Sequence, residues 1–244
     1  MTILSTNFSP INVTSKRVLS VLGFALLLSA CSDNDSDPVV PPVIPPVTYT
    51  YEVSVTNLTN AQPLSPVAVI LHNEGALFEL GSSASVALET LAESGDNSEV
   101  LAQDMVLAGA SGDGVVMPGM SQTVSVSLVD TQPMMLSTAT MLVNTNDAFS
   151  GVNAMSLENM AVGESISMLT GSYDAGTESN SEMMATIPGP AAGGEGFNAE
   201  RDDVDFIGMH SGVVSMDDGL AQSVLTQAHR FDNPTVAISI TRME

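Results

Sequence analysis

The chain predicts a mainly β fold, an antiparallel β-sandwich with one or two short helices, and three observations carry that prediction. Apolar and polar residues alternate with period two over several stretches, of which residues 49–56 are the clearest. Gly, Pro and Asn punctuate the chain between those stretches, with 19 Gly and 13 Pro in 244 residues. Helical periodicity is confined to short segments. Apolar residues make up 44% of the chain and aromatic residues 4%, so the core has to be built mainly from Val, Leu, Ile, Ala and Met.

Three regions follow in order. Residues 1–31 read as a targeting segment: Lys16-Arg17 form a basic patch, and residues 18–28 form an apolar run too short to span a bilayer, which takes about 20 residues. The run ends in Leu28-Ser29-Ala30-Cys31, which resembles the lipobox of bacterial lipoproteins. Cys31 is the chain's single cysteine, so it is expected to carry lipid, anchor the mature protein to a membrane and leave no disulfide in the rest. Ser32 after it, where an Asp would retain the protein at the inner membrane, favours the outer membrane, facing the periplasm or the cell surface. Residues 32–48 place Pro38, Pro41, Pro42, Pro45 and Pro46 among valines, which predicts an extended stalk.

Residues 49–244 form the globular domain. Strands are predicted at 49–56, where Tyr49, Tyr51, Val53 and Val55 alternate with polar residues, and at 67–72. A helix is predicted over 83–94, with Ser83 or Ser85 as N-cap, an apolar face of Val86, Leu88, Leu91 and Ala92, and Gly95 as the stop. A second short helix is expected over 100–107, further strands at 122–129, 135–143, 164–170 and 235–242, and a short amphipathic helix over 220–228. Residues 189–205 read as a Gly-rich loop insertion, and no internal repeat is present.

Charge narrows the function classes. All 28 Asp and Glu lie after Cys31, where they face only Arg201, Arg230 and Arg242, a formal −25 for the mature chain. Nucleic acid is excluded as a partner, because affinity for a phosphate backbone comes from Lys and Arg displacing counterions. Such self-repulsion is relieved by salt or by divalent cations, and a salty habitat is one setting that suits it. A solvated acidic surface that favours solubility is the plainer alternative.

In Gly171-Ser172-Tyr173-Asp174-Ala175-Gly176-Thr177-Glu178, two carboxylates stand four residues apart across a glycine. An extended chain would hold them roughly 13 Å apart, so only a turn aims both at one point. Ca²⁺, which takes six to eight oxygens at about 2.3–2.6 Å without a rigid geometry, is the cation such a point suits. Solvated turn residues that cap local amides are the plain alternative.

Tyr51-Glu52-Val53-Ser54-Val55-Thr56-Asn57-Leu58-Thr59, then Ser65-Pro66, His72, Gly81, Ala84-Ser85 and Ala92-Glu93-Ser94-Gly95, resemble the opening of the spondin N-terminal domain. Asp174-Ala175-Gly176-Thr177-Glu178 resembles that family's Asp-Ala-Gly-Thr-Asp motif. The resemblance implies a C2-like antiparallel β-sandwich with a calcium-binding edge, used in cell and matrix adhesion. It assigns metal-ligand roles to Asp147, in the loop Asp147-Ala148-Phe149-Ser150-Gly151, and to Asp174 and Glu178. Glu178 stands where the family has Asp, and Tyr173 where it usually has Trp.

Other constellations carry less. His72, His210 and His229 share no metal-ligand spacing, and His72 is expected as a packed or hydrogen-bonded residue at a strand end. No nucleophile-elbow pattern surrounds His210-Ser211. Asp202-Asp203-Val204-Asp205 reads as an exposed acidic loop, with a second ion as the alternative. Met117-Pro118-Gly119-Met120, Met134-Met135 and Met183-Met184 offer thioethers to copper, but methionine is expected here as core filler.

The expected function is a non-enzymatic, lipid-anchored envelope module for binding or adhesion, holding Ca²⁺ and presenting its edge to a protein, glycan or matrix ligand. An exported enzyme, a Met-rich metal-handling protein and a passive spacer of the envelope are the alternatives.

Overall fold

The computed structural model describes residues 44–244; the targeting segment, Cys31 and most of the expected stalk lie outside them. Strand β1 (Thr48–Asn57) buries Tyr51, Val53 and Val55 and leaves Glu52 exposed, the alternation that its sequence predicts. It pairs antiparallel with β4 (Ser121–Val129) on one side and β10 (Val236–Arg242) on the other. With β7 (Ser165–Thr170) these form a four-stranded sheet in the order β4-β1-β10-β7. Hydroxyls ladder across its outer face, with Thr50 to Ser127 at 2.9 Å, Ser165 to Thr241 at 2.7 Å and Ser167 donating to Ser239 at 3.0 Å.

The second sheet is also antiparallel. Its order is β3 (Ala108–Ser111), β2 (Ala68–His72), β5 (Met135–Met141), β6 (Ala148–Ser156), β8 (Ser172–Asp174) and β9 (Gly208–Met209). Tyr51, Val53, Val126 and Ile240 of the first sheet pack against Val69, Leu71, Leu136 and Val152 of the second, which makes a β-sandwich. The outer face of the six-stranded sheet is covered as well, by helix α1 (Val86–Ser94) and the single turn α2 (Ser98–Leu101). Ala68, Ile70, Ala139 and Phe149 meet Leu88, Leu91, Ala92 and Val100 there. Buried on both faces, β2 is apolar throughout apart from His72, whose Nε2 lies 2.9 Å from the Ser137 hydroxyl at the strand end.

Helix α1 begins where the sequence places it: the Ser85 hydroxyl accepts from the Leu88 amide at 3.2 Å, and the Gly95 amide donates to the Leu91 carbonyl at 2.9 Å. Val86, expected on its apolar face, is exposed.

Four other expectations are corrected. The helix expected over 100–107 is the one turn of α2, because the Leu107 amide already donates to the Leu71 carbonyl and the chain joins the sheet as β3. Residues 220–228 form no amphipathic helix; the Val224 amide donates to the Glu182 carbonyl, and of two short 3₁₀ turns Met216–Asp218 precedes the stretch and Gln227–His229 begins at its end. Of the stretch 147–151, expected as a loop, residues 148–151 open the central strand β6, because Phe149 has a core site against Phe78 and Tyr173 at 5.1 and 5.3 Å. Methionine is not chiefly core filler: Met141 and Met160 are buried, whereas Met117, Met120, Met134, Met183, Met184 and Met216 are exposed. Among the described residues no helix is long and apolar enough to cross a membrane.

Candidate functional site

The pairing of β6 with β8 sets Ala148 opposite Asp174 and Phe149 opposite Tyr173. Asp147, one residue before β6, therefore lies beside the start of the 174–178 turn, and its carbonyl accepts from the Ala175 amide at 3.3 Å. Gly176 makes that turn with φ 70°, and a Cβ there would overlap the Phe206 backbone. Asp174 Oδ1 accepts from the Gly176 amide at 2.8 Å, an Asx-type closure of the same turn. Asp174 Oδ2 accepts from the Asn180 side-chain amide at 2.6 Å. Asn180 Oδ1 is in turn 3.1 Å from His210 Nε2.

Asp147 is fully buried. Its Oδ2 accepts from the amides of Thr177 at 2.9 Å and Glu178 at 3.2 Å, and from the Thr177 hydroxyl at 3.3 Å. Its Oδ1 is buried without a hydrogen-bond partner. Glu178 is buried as well.

Sequence reasoning missed Glu93 as part of this group. The last-turn residue of α1 is 1% exposed, its Oε2 accepts from the Asn198 amide at 2.9 Å, and its Oε1 has no partner. Helix α1 also carries Glu89, Thr90 and Ser94, so nothing in its sequence marked Glu93 out.

The electrostatics follow from burial of like charges. The Asp147 carboxyl is pushed up to about 7 by burial and then by the Asp174 charge, against the opposing pull of the Thr177 and Glu178 amides. Glu178 is pushed up to about 8, by burial first and then by the charges of Glu93 and Asp147. Burial also raises Glu93. Asp147 thus feels the charges of Asp174 and Glu93, and Glu178 those of Glu93 and Asp147, which makes these acids electrostatic neighbours around the 174–178 turn. A polar depression of about 240 Å³ opens beside Glu178, lined further by Thr186, Glu195, Asn198, Glu200 and Asp202.

Among the described residues, no group of three His, Cys, Asp or Glu side chains is placed so that it could hold a metal ion. The donor chemistry nonetheless suits a hard cation. Two buried carboxylate oxygens, Asp147 Oδ1 and Glu93 Oε1, lack partners, and an uncompensated buried charge is costly unless a proton or a cation meets it. Asp202 and Asp205 are occupied otherwise, Asp202 by the Ser179 amide at 2.8 Å and Asp205 by Arg201 at 2.5 Å. The chain matches no protein-family model, and no curated protein matches it.

Proposed function

We propose that the chain is a non-enzymatic binding module, held at the cell envelope by lipid on Cys31, whose edge at Asp147, Asp174 and Glu178 is ordered by Ca²⁺. The spondin N-terminal domain, which its two sequence patches resemble, is the family this reading assigns it to. The observation that carries it is the unpartnered Oδ1 of buried Asp147, whose other oxygen already holds two amides of the 174–178 turn.

Two carboxylates 4 Å apart repel by about 4 kcal/mol at an effective dielectric of 20, and a divalent ion between them reverses the sign. Asp147, Asp174, Glu178 and nearby backbone carbonyls would hold the ion, which supplies charge neutralisation and no chemistry. The residues themselves fix the turn, and the turn edge is the surface offered to a protein, glycan or matrix ligand.

Calorimetric titration of the full-length chain with CaCl₂, paired with thermal melts, tests the reading. Heat of binding and a rise in Tm are expected, about 2.7 kcal/mol of added stability at a hundred times Kd. Absence of both, with Asp147→Asn indistinguishable from wild type, rejects the metal.

A further inference from the structure

The depression beside Glu178 is built where three stretches of loop meet. The Asp202 amide donates to the Thr177 carbonyl at 3.1 Å, the Glu195 amide to the Ala185 carbonyl at 2.8 Å, and the Ser179 amide to Asp202 Oδ1 at 2.8 Å. Glu178, Glu195, Glu200 and Asp202 thereby line one hollow of about 240 Å³, together with Thr186 and Asn198.

No cation of the protein answers these acids. The chain after Cys31 has no lysine, and among the described residues no ion pair reaches any of the four. Arg201, between Glu200 and Asp202 in sequence, turns its guanidinium instead to Glu89 at 2.6 Å and to the Ala84 carbonyl at 2.8 Å. Glu178 adds a second observation. It is 7% exposed and lines the hollow, yet its backbone amide makes its bond, to Asp147 Oδ2 at 3.2 Å, and among the described residues no hydrogen bond is made to its carboxylate. A carboxylate withdrawn from water without a donor calls for a proton or a cation.

The placement of the acids bears on which cation. No three of them could hold one metal ion, whereas ammonium groups strung along a carbon chain meet separate carboxylates in succession, each with several N–H donors. The hollow is also smaller than the roughly 300–1,000 Å³ of pockets that take drug-sized ligands, so a slender chain suits it better than a ring system. We propose that this depression binds a linear aliphatic polyamine, with one ammonium group seated at Glu178 and the others met by the exposed Glu195, Glu200 and Asp202. The site shares Glu178 with the calcium reading and does not rest on it.

Calorimetric titration of the full-length chain with spermidine, in EDTA and about 0.15 M NaCl to screen the general attraction of an acidic surface, tests the site. Saturable binding is expected, weakened about tenfold or more in Glu178→Gln and unchanged in Glu79→Gln, an exposed acid outside the depression. Both variants lose the same formal charge, so equal weakening in the two, or none in Glu178→Gln, overturns the site. Should Glu178→Gln not fold, the surface pair Glu195→Gln with Glu200→Gln gives the same reading: weaker spermidine binding supports the site, and wild-type affinity overturns it. N-acetyl-lysine amide binding as tightly as spermidine overturns the polyamine in favour of a single ammonium group, and no heat with spermidine overturns the proposal outright. Spermidine binding by a chain that takes up no calcium upholds this site and rejects the calcium reading alone.

Discussion

The two oxygens of Asp147 have different surroundings, and substitutions separate them. Oδ2 closes the 174–178 turn through two backbone amides, whereas Oδ1 is buried without a partner. Asp147→Ala removes the turn's acceptor and strands buried amides, so a loss of about 1–3 kcal/mol is expected in urea unfolding with EDTA present. Asp147→Asn keeps one acceptor oxygen and places an amide where the orphaned oxygen stood, so in EDTA it should unfold no more easily than wild type at pH 8. Equal stability of the two variants would show that Oδ2 does not hold the turn. Gly176→Ala is a second test at this scale, because the residue adopts φ 70° against the Phe206 backbone. Its cost should exceed that of Gly81→Ala, where φ is 85° but the surrounding space is open, by about 1–3 kcal/mol of overpacking.

Elements whose signals are local were legible in the sequence, and those that depend on distant neighbours were not. Ser85 and Gly95 delimit α1 through bonds to residues three and four positions away, so the helix could be read directly. Ser85→Ala should accordingly cost about 1 kcal/mol in urea unfolding, and a change near zero would mean that packing alone sets the helix start. Strand β6 was hidden because Ser150, Gly151 and Asn153 break its alternation. Gly151 is required by a tertiary contact, since a Cβ there would overlap the Thr138 carbonyl beside the irregular pairing of β5 and β6. The same distinction divides the site. Asp174 and Glu178 share a short turn whose spacing is visible in the chain, and Asp147 was reached only through the family resemblance. Glu93 comes from α1, and nothing in its own segment announces that residues some 80 positions later will face it.

At the scale of the whole molecule, buried acids and a formal charge of −23 act in the same direction on stability. Asp147 and Glu182 are raised to about 7 and Glu178 to about 8, each mainly by burial. A carboxyl raised in the folded state holds its proton there more tightly than in the unfolded chain, so its stabilising contribution is complete below about pH 4 and is lost as pH rises through 7 to 8. Without calcium, Tm should therefore fall steadily from pH 5 to pH 8. Surface repulsion predicts a fall as well, but 0.5 M NaCl shortens the screening length to a few ångströms and removes most of that part while leaving the buried part. Glu182 isolates the buried contribution, because its Oε1 accepts from the Val214 amide, its Oε2 has no partner, and it lies outside the proposed ligand set. Glu182→Gln should raise Tm at pH 8 in EDTA and 0.5 M NaCl and leave it nearly unchanged at pH 5. Calcium binding requires deprotonated carboxylates, so the Tm increment from CaCl₂ should be larger at pH 8 than at pH 5 in both the wild type and Glu182→Gln. A Tm in EDTA that stays level or rises between pH 5 and pH 8 at high salt would mean that the buried acids are already compensated, and with that the case for a cation at Asp147 is lost.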